Sequence, residues 1–400
     1  AKKIDAIEQQ IRELERLIAA VRKQVIEEAA VIGATLSMTY MSTDLQAQQY
    51  DALFIDEISM APLLPMFFAM GLVSSSCTLI GDFLQLPPIG TQSKNELLKK
   101  WHNRSFFDII GMNSVGKARS SEFVKPLSIQ YRMNPAIAAI PNKLFYGDIL
   151  QSGDNTKTRV LSDQWVQDQP LFLVDTSEGA PWMNRGPNGQ SRCNLYHATL
   201  AAAMAQDYLA NETQDGKEIT VGVVVPYRSQ KDLINDILDE SLGKNSPARK
   251  RIEVNTVHSF QGGEKDVIIC DSVESEGKDA KWFFFDDGSR NNHSAPLMLN
   301  VAVTRAKSKF ILLANVKFVQ QNFTGHIFKD MLDILHQHGV TLSVSELGIG
   351  FQTTDEENEI KRLSEGVPVE ELGQYNQNSF WAKVIPDLKN ASKRVIIFCP

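Results

Sequence analysis

Apolar runs of strand length recur along this chain with helical stretches between them, and in the N-terminal part each run stops on polar side chains. Residues 31–37 end on small hydroxyls that include Thr35, residues 51–57 on Asp56 and Glu57, and residues 77–82 on Asp82. Strands separated by helices cannot be joined by tight hairpins, so this order demands parallel βαβ units, whose chemistry gathers at the C-terminal ends of the strands. The expected fold class is α/β.

A polar stretch over residues 99–122 separates this region from a second alternating one. There, strands are expected at 127–131, 171–174, 220–226, 267–270 and 310–314, with helices at 198–210 and 230–242, the latter capped by Ser229. Residues 182–191, rich in Gly, Asn and Pro, read as a loop. Residues 353–371 are acidic and read as a linker, followed by a helix at 379–391 and a strand at 395–398.

At the N-terminus Ile4, Ile7, Ile11, Leu14, Ile18, Val21 and Val25 alternate three and four apart, the seam of a coiled coil on one long helix. That helix is either a dimerising coiled coil or half of an antiparallel stalk whose partner precedes residue 1. The chain opens on Ala-Lys-Lys and closes on a strand-like run, from which we expect a piece of a longer polypeptide.

Four hundred residues, 43% hydrophobic and 22% charged, suffice for two or three domains. The net charge of -7 excludes a wholly basic nucleic-acid coat but not a local basic groove. Cys77, Cys193, Cys270 and Cys399 form no CxxC pair, which points away from zinc and disulfide frameworks and towards a reducing, cytoplasmic setting. No apolar run is long enough for a bilayer, so no membrane partner is expected.

Several stretches can carry chemistry. Asp56 can hold Mg²⁺ through water and Glu57 can orient or deprotonate a water attacking a γ-phosphate, although the pair also suits a plain solvated strand end. Gln85, in the Pro-stiffened run 81–88, can sense the same phosphate. In Gln130-Tyr131-Arg132-Met133-Asn134-Pro135, Tyr131 can stack on a base and Arg132 can pair with a phosphate, or the two can be a buried Tyr and a surface Arg. Within residues 254–266, Gly262 and Gly263 allow close backbone approach to phosphate and Glu264 can accept from a ribose hydroxyl. Thr256, His258 and Ser259 can meet a nucleic-acid backbone there. Val301-Ala302-Val303-Thr304-Arg305-Ala306-Lys307 reads as a loop that offers a cation, Arg305, to a phosphate. Gly111 to Lys117 has P-loop spacing, but Ala118 replaces the Ser or Thr that would hold Mg²⁺, and no clear strand precedes it.

In their fixed order these stretches resemble superfamily 1 helicases, in the branch that includes the nonsense-mediated-decay RNA helicase and related DNA helicases. Asp56-Glu57 resembles motif II, residues 81–88 motif III, 130–135 motif IV, 224–230 the motif after it, 254–266 motif V and 300–307 motif VI, over roughly residues 1–340. The resemblance implies two RecA-like parallel-sheet domains with ATP in their cleft and a single strand of RNA or DNA crossing their tops. The implied division is 1–30 a stalk helix of an accessory subdomain, 31–117 the C-terminal part of a first, incomplete RecA-like domain, and 118–342 a second. Residues 343–378 would be a linker and 379–400 the start of a further α/β domain, similar to phospholipase-D-like nucleases.

By motif, Asp56 would bind Mg²⁺, Glu57 activate water, Gln85 sense the γ-phosphate, Tyr131 face the adenine, and Arg132 and Arg305 act as arginine fingers. Thr35, Pro226, Tyr227, Thr256 and His258 would contact the strand. One departure stands out: no P-loop Lys precedes Asp56, so this chain by itself is expected to turn over ATP negligibly. The alternatives are a non-catalytic nucleic-acid-binding scaffold and the targeting part of a helicase–nuclease fusion.

Overall fold

The computed structural model describes residues 2–90, 94–179, 181–186, 191–209, 216–277, 294–323 and 326–348. The chain divides into two compact units, Ala1–Pro126 and Leu127–Pro400. The expectations for the linker at 353–371 and for the tail at 379–400 lie outside the described residues.

The first unit begins with the helix Lys2–Glu28. Its heptad stripe forms as expected and is solvent-exposed from Ile4 to Val25. The Arg22 guanidinium reaches Asp44 at 3.1 Å, tying the end of the helix to the rest of the unit. The strand expected at 31–37 is absent: Val31 is 90% exposed and the Thr35 hydroxyl accepts from the Met38 N–H, capping the helix Leu36–Met41. A hydroxyl placed just ahead of an apolar stretch competes for helix donors, and here that local bond wins over strand pairing.

Strands β1 (Tyr50–Ile55) and β2 (Val73–Leu79) follow, parallel and joined through the helix Leu63–Met70. β2 starts four residues earlier than its apolar run, on Val73-Ser74-Ser75-Ser76. The small core of the unit gathers Ile55, Ile58, Leu63, Met66 and Phe107.

The second unit is built on β3 (Ile129–Gln130), β4 (Gln151–Ser152), β5 (Leu171–Asp175), β6 (Trp182–Arg185), β7 (Arg192–Asn194), β8 (Val221–Val225), β9 (Ile252–Thr256), β10 (Lys265–Asp271), β11 (Glu276–Gly277), β12 (Ala306–Ala314) and β13 (Val340–Ser343). Six of these form one all-parallel sheet in the order β13-β5-β12-β10-β8-β9. Its central strands β8, β10 and β12 are almost continuously buried, as parallel strands covered on both faces must be. The α/β class and the parallel-sheet arrangement are thus as expected.

Three local expectations are corrected. Residues 127–131 supply only β3, which pairs with β4 outside the main sheet. Residues 182–191 are not all loop: β6 runs antiparallel to β7, and β11 completes a three-stranded sheet. Trp182 and Met183, apolar residues at the start of the Gly- and Pro-rich stretch, carry that strand. Ser229 lies inside the helix Arg228–Leu242 and is not its cap; the cap position is Tyr227, and the Ser229 N–H donates to Ser191 Oγ at 3.0 Å. The edge strands β9 and β13 come in addition to the expected set.

Candidate functional site

In the first unit Asp56 and Glu57 leave the C-terminal end of β1, and Asp82 and Gln85 follow the adjacent end of β2. Backbone bonds lock the two ends together, Ile80 N–H to Ile55 O at 2.8 Å and Ile58 N–H to Ile80 O at 3.0 Å. Gly81 makes this approach possible, since a Cβ there would lie 2.8 Å from Ile58 Cγ1 and 3.0 Å from the Ile58 nitrogen.

Glu57 has φ of 54°, left-handed for a residue with a long side chain, and its N–H donates to Asp56 Oδ1 at 2.8 Å. Such a conformation is held only where the surroundings over-determine it, and functional sites are where it clusters. Both carboxylates of this turn are open to solvent to some degree, with Asp56 exposed and Glu57 half-buried. Gln85 donates from Nε2 to Asp82 Oδ2 at 3.0 Å, and the Leu84 N–H takes Asp82 Oδ1 at 2.9 Å, so Asp82 shapes the loop that presents Gln85. Thr35 is elsewhere in the unit, exposed at its helix cap.

In the second unit one group of candidate residues does not stand at the C-terminal strand ends. Glu264 immediately precedes β10 and Arg305 immediately precedes β12, and the Lys265 N–H donates to Arg305 O at 3.0 Å. Both stand at the N-terminal edge of the sheet. Arg132 joins them because the Asn134 N–H donates to Lys307 O at 2.7 Å, seating its turn beside β12. Arg132 Nε then reaches Glu264 Oε2 at 2.9 Å and its Nη1 the Thr304 carbonyl at 3.2 Å.

Nor is 301–307 a loop. Val301, Ala302 and Val303 are fully buried in the last turns of the helix Ser294–Thr304, and Ala306 opens β12. Arg305 is only 1% exposed: Nε donates to Val301 O at 3.2 Å, Nη1 to Gly263 O at 3.3 Å and Nη2 to Thr304 Oγ1 at 3.0 Å. Arg132, with 36% of its side chain accessible, is the outward cation of the two. Gly262 at φ +85° gives the turn beside them a conformation that favours glycine.

Gln130 is a residue whose role the motif reading missed. Its Oε1 accepts from the Arg132 and Met133 N–H groups at 2.9 and 2.7 Å, while Nε2 donates to Met133 O and Ser152 Oγ, both at 2.8 Å. One side-chain amide therefore shapes the turn that displays Tyr131 and Arg132. Tyr131 is exposed and its ring lies against Gly153, where a Cβ would come within 2.4 Å of the ring carbons.

The remaining candidates gather at the opposite, C-terminal edge, where Thr256 ends β9 in register with Val225 of β8. Thr256 and Ser259 share a hydroxyl–hydroxyl bond at 3.3 Å, and Ser259 is exposed. Burial pushes the His258 imidazole below its ordinary pKa, so at neutral pH it offers an N–H and not a charge.

Pro226 and Tyr227 are buried. The Tyr227 hydroxyl bonds to Glu274 and accepts from Arg192 Nη1 at 3.2 Å, and burial followed by the Glu274 charge raises its pKa. Behind it runs a buried network of which only Gln230 lies within a motif named above. His197 bonds to Asp271 at 2.8 Å and to Thr176 at 2.9 Å, and Gln230 donates to Asp271 Oδ2 at 2.6 Å. The same Gln230 clamps the Asn194 backbone through both ends of its amide. Apart from Gln230, its sequence signal is a pair of acids, Asp271 at the end of an otherwise apolar strand and Glu274 just after it.

A family model described as an AAA domain matches residues 103–317, more than half of the chain, and a second of the same description matches residues 1–93. Among curated proteins, the helicase sen1 of Schizosaccharomyces pombe is 29% identical over 325 residues, covering 80% of this chain and 18% of that one. The probable helicase MAGATAMA 3 of Arabidopsis thaliana is 25% identical, covering 90% of this chain and 42% of its own length. The ATP-dependent helicase upf1 of Schizosaccharomyces pombe is 26% identical over 83% of this chain and 35% of its own. The chain therefore spans less than half the length of each of these relatives.

Proposed function

Because the chain belongs to the AAA-domain family and, within it, to the superfamily 1 helicases of the branch that holds sen1 and upf1, we propose that it carries the phosphate-sensing and strand-binding parts of an ATP-dependent helicase or translocase acting on single-stranded RNA or DNA. The observation that carries this reading is the cluster of Arg132, Glu264 and Arg305 at one edge of the second unit's sheet, with the hydroxyl-bearing Thr256 and Ser259 at the other.

In the first unit Asp56 fits a Mg²⁺ held through water, because its carboxylate is exposed and only Oδ1 is engaged, by the Glu57 N–H. When bound, the ion neutralises charge on the β- and γ-phosphates. Glu57, aimed by its left-handed backbone, orients the attacking water and accepts its proton. Gln85 offers its amide to the γ-phosphate from the loop that Asp82 shapes.

In the second unit Tyr131 stacks on the adenine, Glu264 accepts from a ribose hydroxyl, and the Gly262–Gly263 turn gives backbone access to phosphate. Arg132 meets a phosphate simply by leaving Glu264, an exchange that costs little because exposed ion pairs contribute about 0–1 kcal/mol. Arg305 must trade the Gly263 carbonyl for phosphate oxygen, which couples that turn to the nucleotide. In the second unit Thr256, His258 and Ser259, with the backbone at Pro226 and Tyr227, form a strand path through contacts that carry no sequence preference, and in the first unit Thr35 is a strand contact of its own.

Fluorescence anisotropy of the 400-residue chain with labelled single-stranded and duplex oligonucleotides tests the strand-binding half directly. Preference for the single strand, weakened several-fold by Thr256→Val, is the expected result. Equal or absent binding to both would overturn the reading.

A further inference from the structure

We propose that Arg185, Arg192 and Arg228 form a phosphate-binding platform that lengthens the strand path beyond Tyr227, taking two or more consecutive phosphates of a single-stranded RNA or DNA backbone. The proposal rests on the strand-binding reading above.

The platform is organised by one tight contact. Gly186 approaches Ser229 so closely that a Cβ on it would fall 2.0 Å from Ser229 Oγ, and the Ser229 N–H donates to Ser191 Oγ at 3.0 Å. Arg185, Arg192 and Arg228 are the chain neighbours of these three residues. The end of β6, the start of β7 and the first turn of the helix Arg228–Leu242 are thus fixed together, each delivering one guanidinium. Two further bonds, between Gln230 and the Asn194 backbone at 2.7 and 3.1 Å, hold the hairpin to the helix from beneath.

Arg185 and Arg192 face each other directly across the β6–β7 pair. Opposed residues of an antiparallel pair project from the same face, and like charges placed so weaken the pairing. Arg192 is offset by Glu274 at 3.4 Å and lies over the Tyr227 ring at 5.5 Å, which joins the platform to the residues already placed on the strand path. Arg185 and Arg228 are exposed. All three cations are arginine, whose planar fork suits bidentate phosphate contacts better than lysine does. The neighbouring Pro226 and Tyr227 are buried, which leaves Arg185 and Arg228 as the exposed cations here, with 15% of the Arg192 side chain accessible beside Glu274.

Anisotropy titrations of the 400-residue chain against labelled oligo(dT) and oligo(U), repeated across salt concentrations, read out the number of phosphate contacts. Each contact removed lowers the slope of log K on log salt by about 0.7 for a single strand. The double variant Arg185→Ala/Arg228→Ala is expected to lose affinity several-fold on both oligomers and to flatten the slope by about 1.4. Arg185→Lys/Arg228→Lys should restore the slope while recovering only part of the affinity, a pattern that a folding defect would not give. Arg192→Lys keeps a cation beside Glu274 and should weaken binding without changing the unfolding midpoint.

If the parent binds and Thr256→Val weakens it, yet Arg185→Ala/Arg228→Ala leaves affinity and slope unchanged, the platform is wrong and the strand-binding reading stands. Failure of the parent to bind either oligomer removes both. Binding of a polyanionic peptide that is lost in the double variant, with oligonucleotide binding intact, would assign the patch to a protein partner and overturn the proposal.

Discussion

Arg132 and Glu264 are 132 positions apart in the chain and 2.9 Å apart in space. Each was read from its own stretch as a separate candidate, and their mutual pairing was not legible, because nothing local in either stretch specifies the other. The same holds for Arg305, which reads as an offered cation and proves to be a buried one that braces Gly263.

Asp266, two residues after Glu264, shows how the cluster is anchored. Burial alone would raise its pKa, but Lys307 at 2.8 Å and the Thr220 hydroxyl and N–H at 2.6 and 2.9 Å outweigh that, holding the carboxyl below its ordinary value. A group depressed in the folded state adds stability that is complete above the ordinary aspartate pKa of ~3.9 and disappears as the pH falls through the lower folded value. Urea unfolding should therefore show the parent well ahead of Asp266→Asn at neutral pH, with the gap closing below about pH 4. A gap independent of pH would mean that the carboxylate charge is not what matters.

Among the elements, the buried central strands β8, β10 and β12 were legible because a continuous apolar run has few other fates. Edge strands β9 and β13 were not: Ile252-Glu253-Val254-Asn255-Thr256 and Val340-Thr341-Leu342-Ser343 do alternate apolar and polar residues as half-buried strands do, but over only five and four residues, too short a run to stand out. Residues 31–37 fail in the opposite sense: an apolar start suggests a strand, and the Thr35 hydroxyl diverts the chain into a helix.

The β1–β2 pair gives a prediction at this scale. Gly81→Ala would drive a Cβ into Ile58, including its backbone nitrogen, so the two strand ends must separate. Overpacking of this kind costs about 1–3 kcal/mol. Chemical denaturation should report a loss of that size, together with displacement of the Glu57 turn. An unfolding midpoint within error of the parent would show that the Ile58 approach is looser than it stands here.

For the whole molecule, the residues read from motifs, apart from Thr35 at its helix cap, fall into three groups. Asp56, Glu57 and Gln85 sit at the C-terminal strand ends of the first unit, and Arg132, Glu264 and Arg305 at the N-terminal edge of the second unit's sheet. Thr256, Ser259 and their neighbours lie at that sheet's C-terminal edge. Among the described residues no helix is long and apolar enough to cross a membrane. The order of motifs was readable because each is a short local pattern; which edge of the sheet each occupies depends on strand direction and pairing, which only the fold supplies.

The sequence contains no P-loop with a Ser or Thr after its Lys, so the proposed ATP chemistry is tested in a polypeptide extended upstream to carry one. The decisive measurement is single-strand-stimulated phosphate release from ATP by that polypeptide and by its Arg305→Ala variant. Stimulation is expected in the parent, with a fall of about 10³-fold or more in the variant and unchanged strand affinity in both. Hydrolysis by Arg305→Ala at the parental rate would contradict the assignment of Arg305 as an arginine finger.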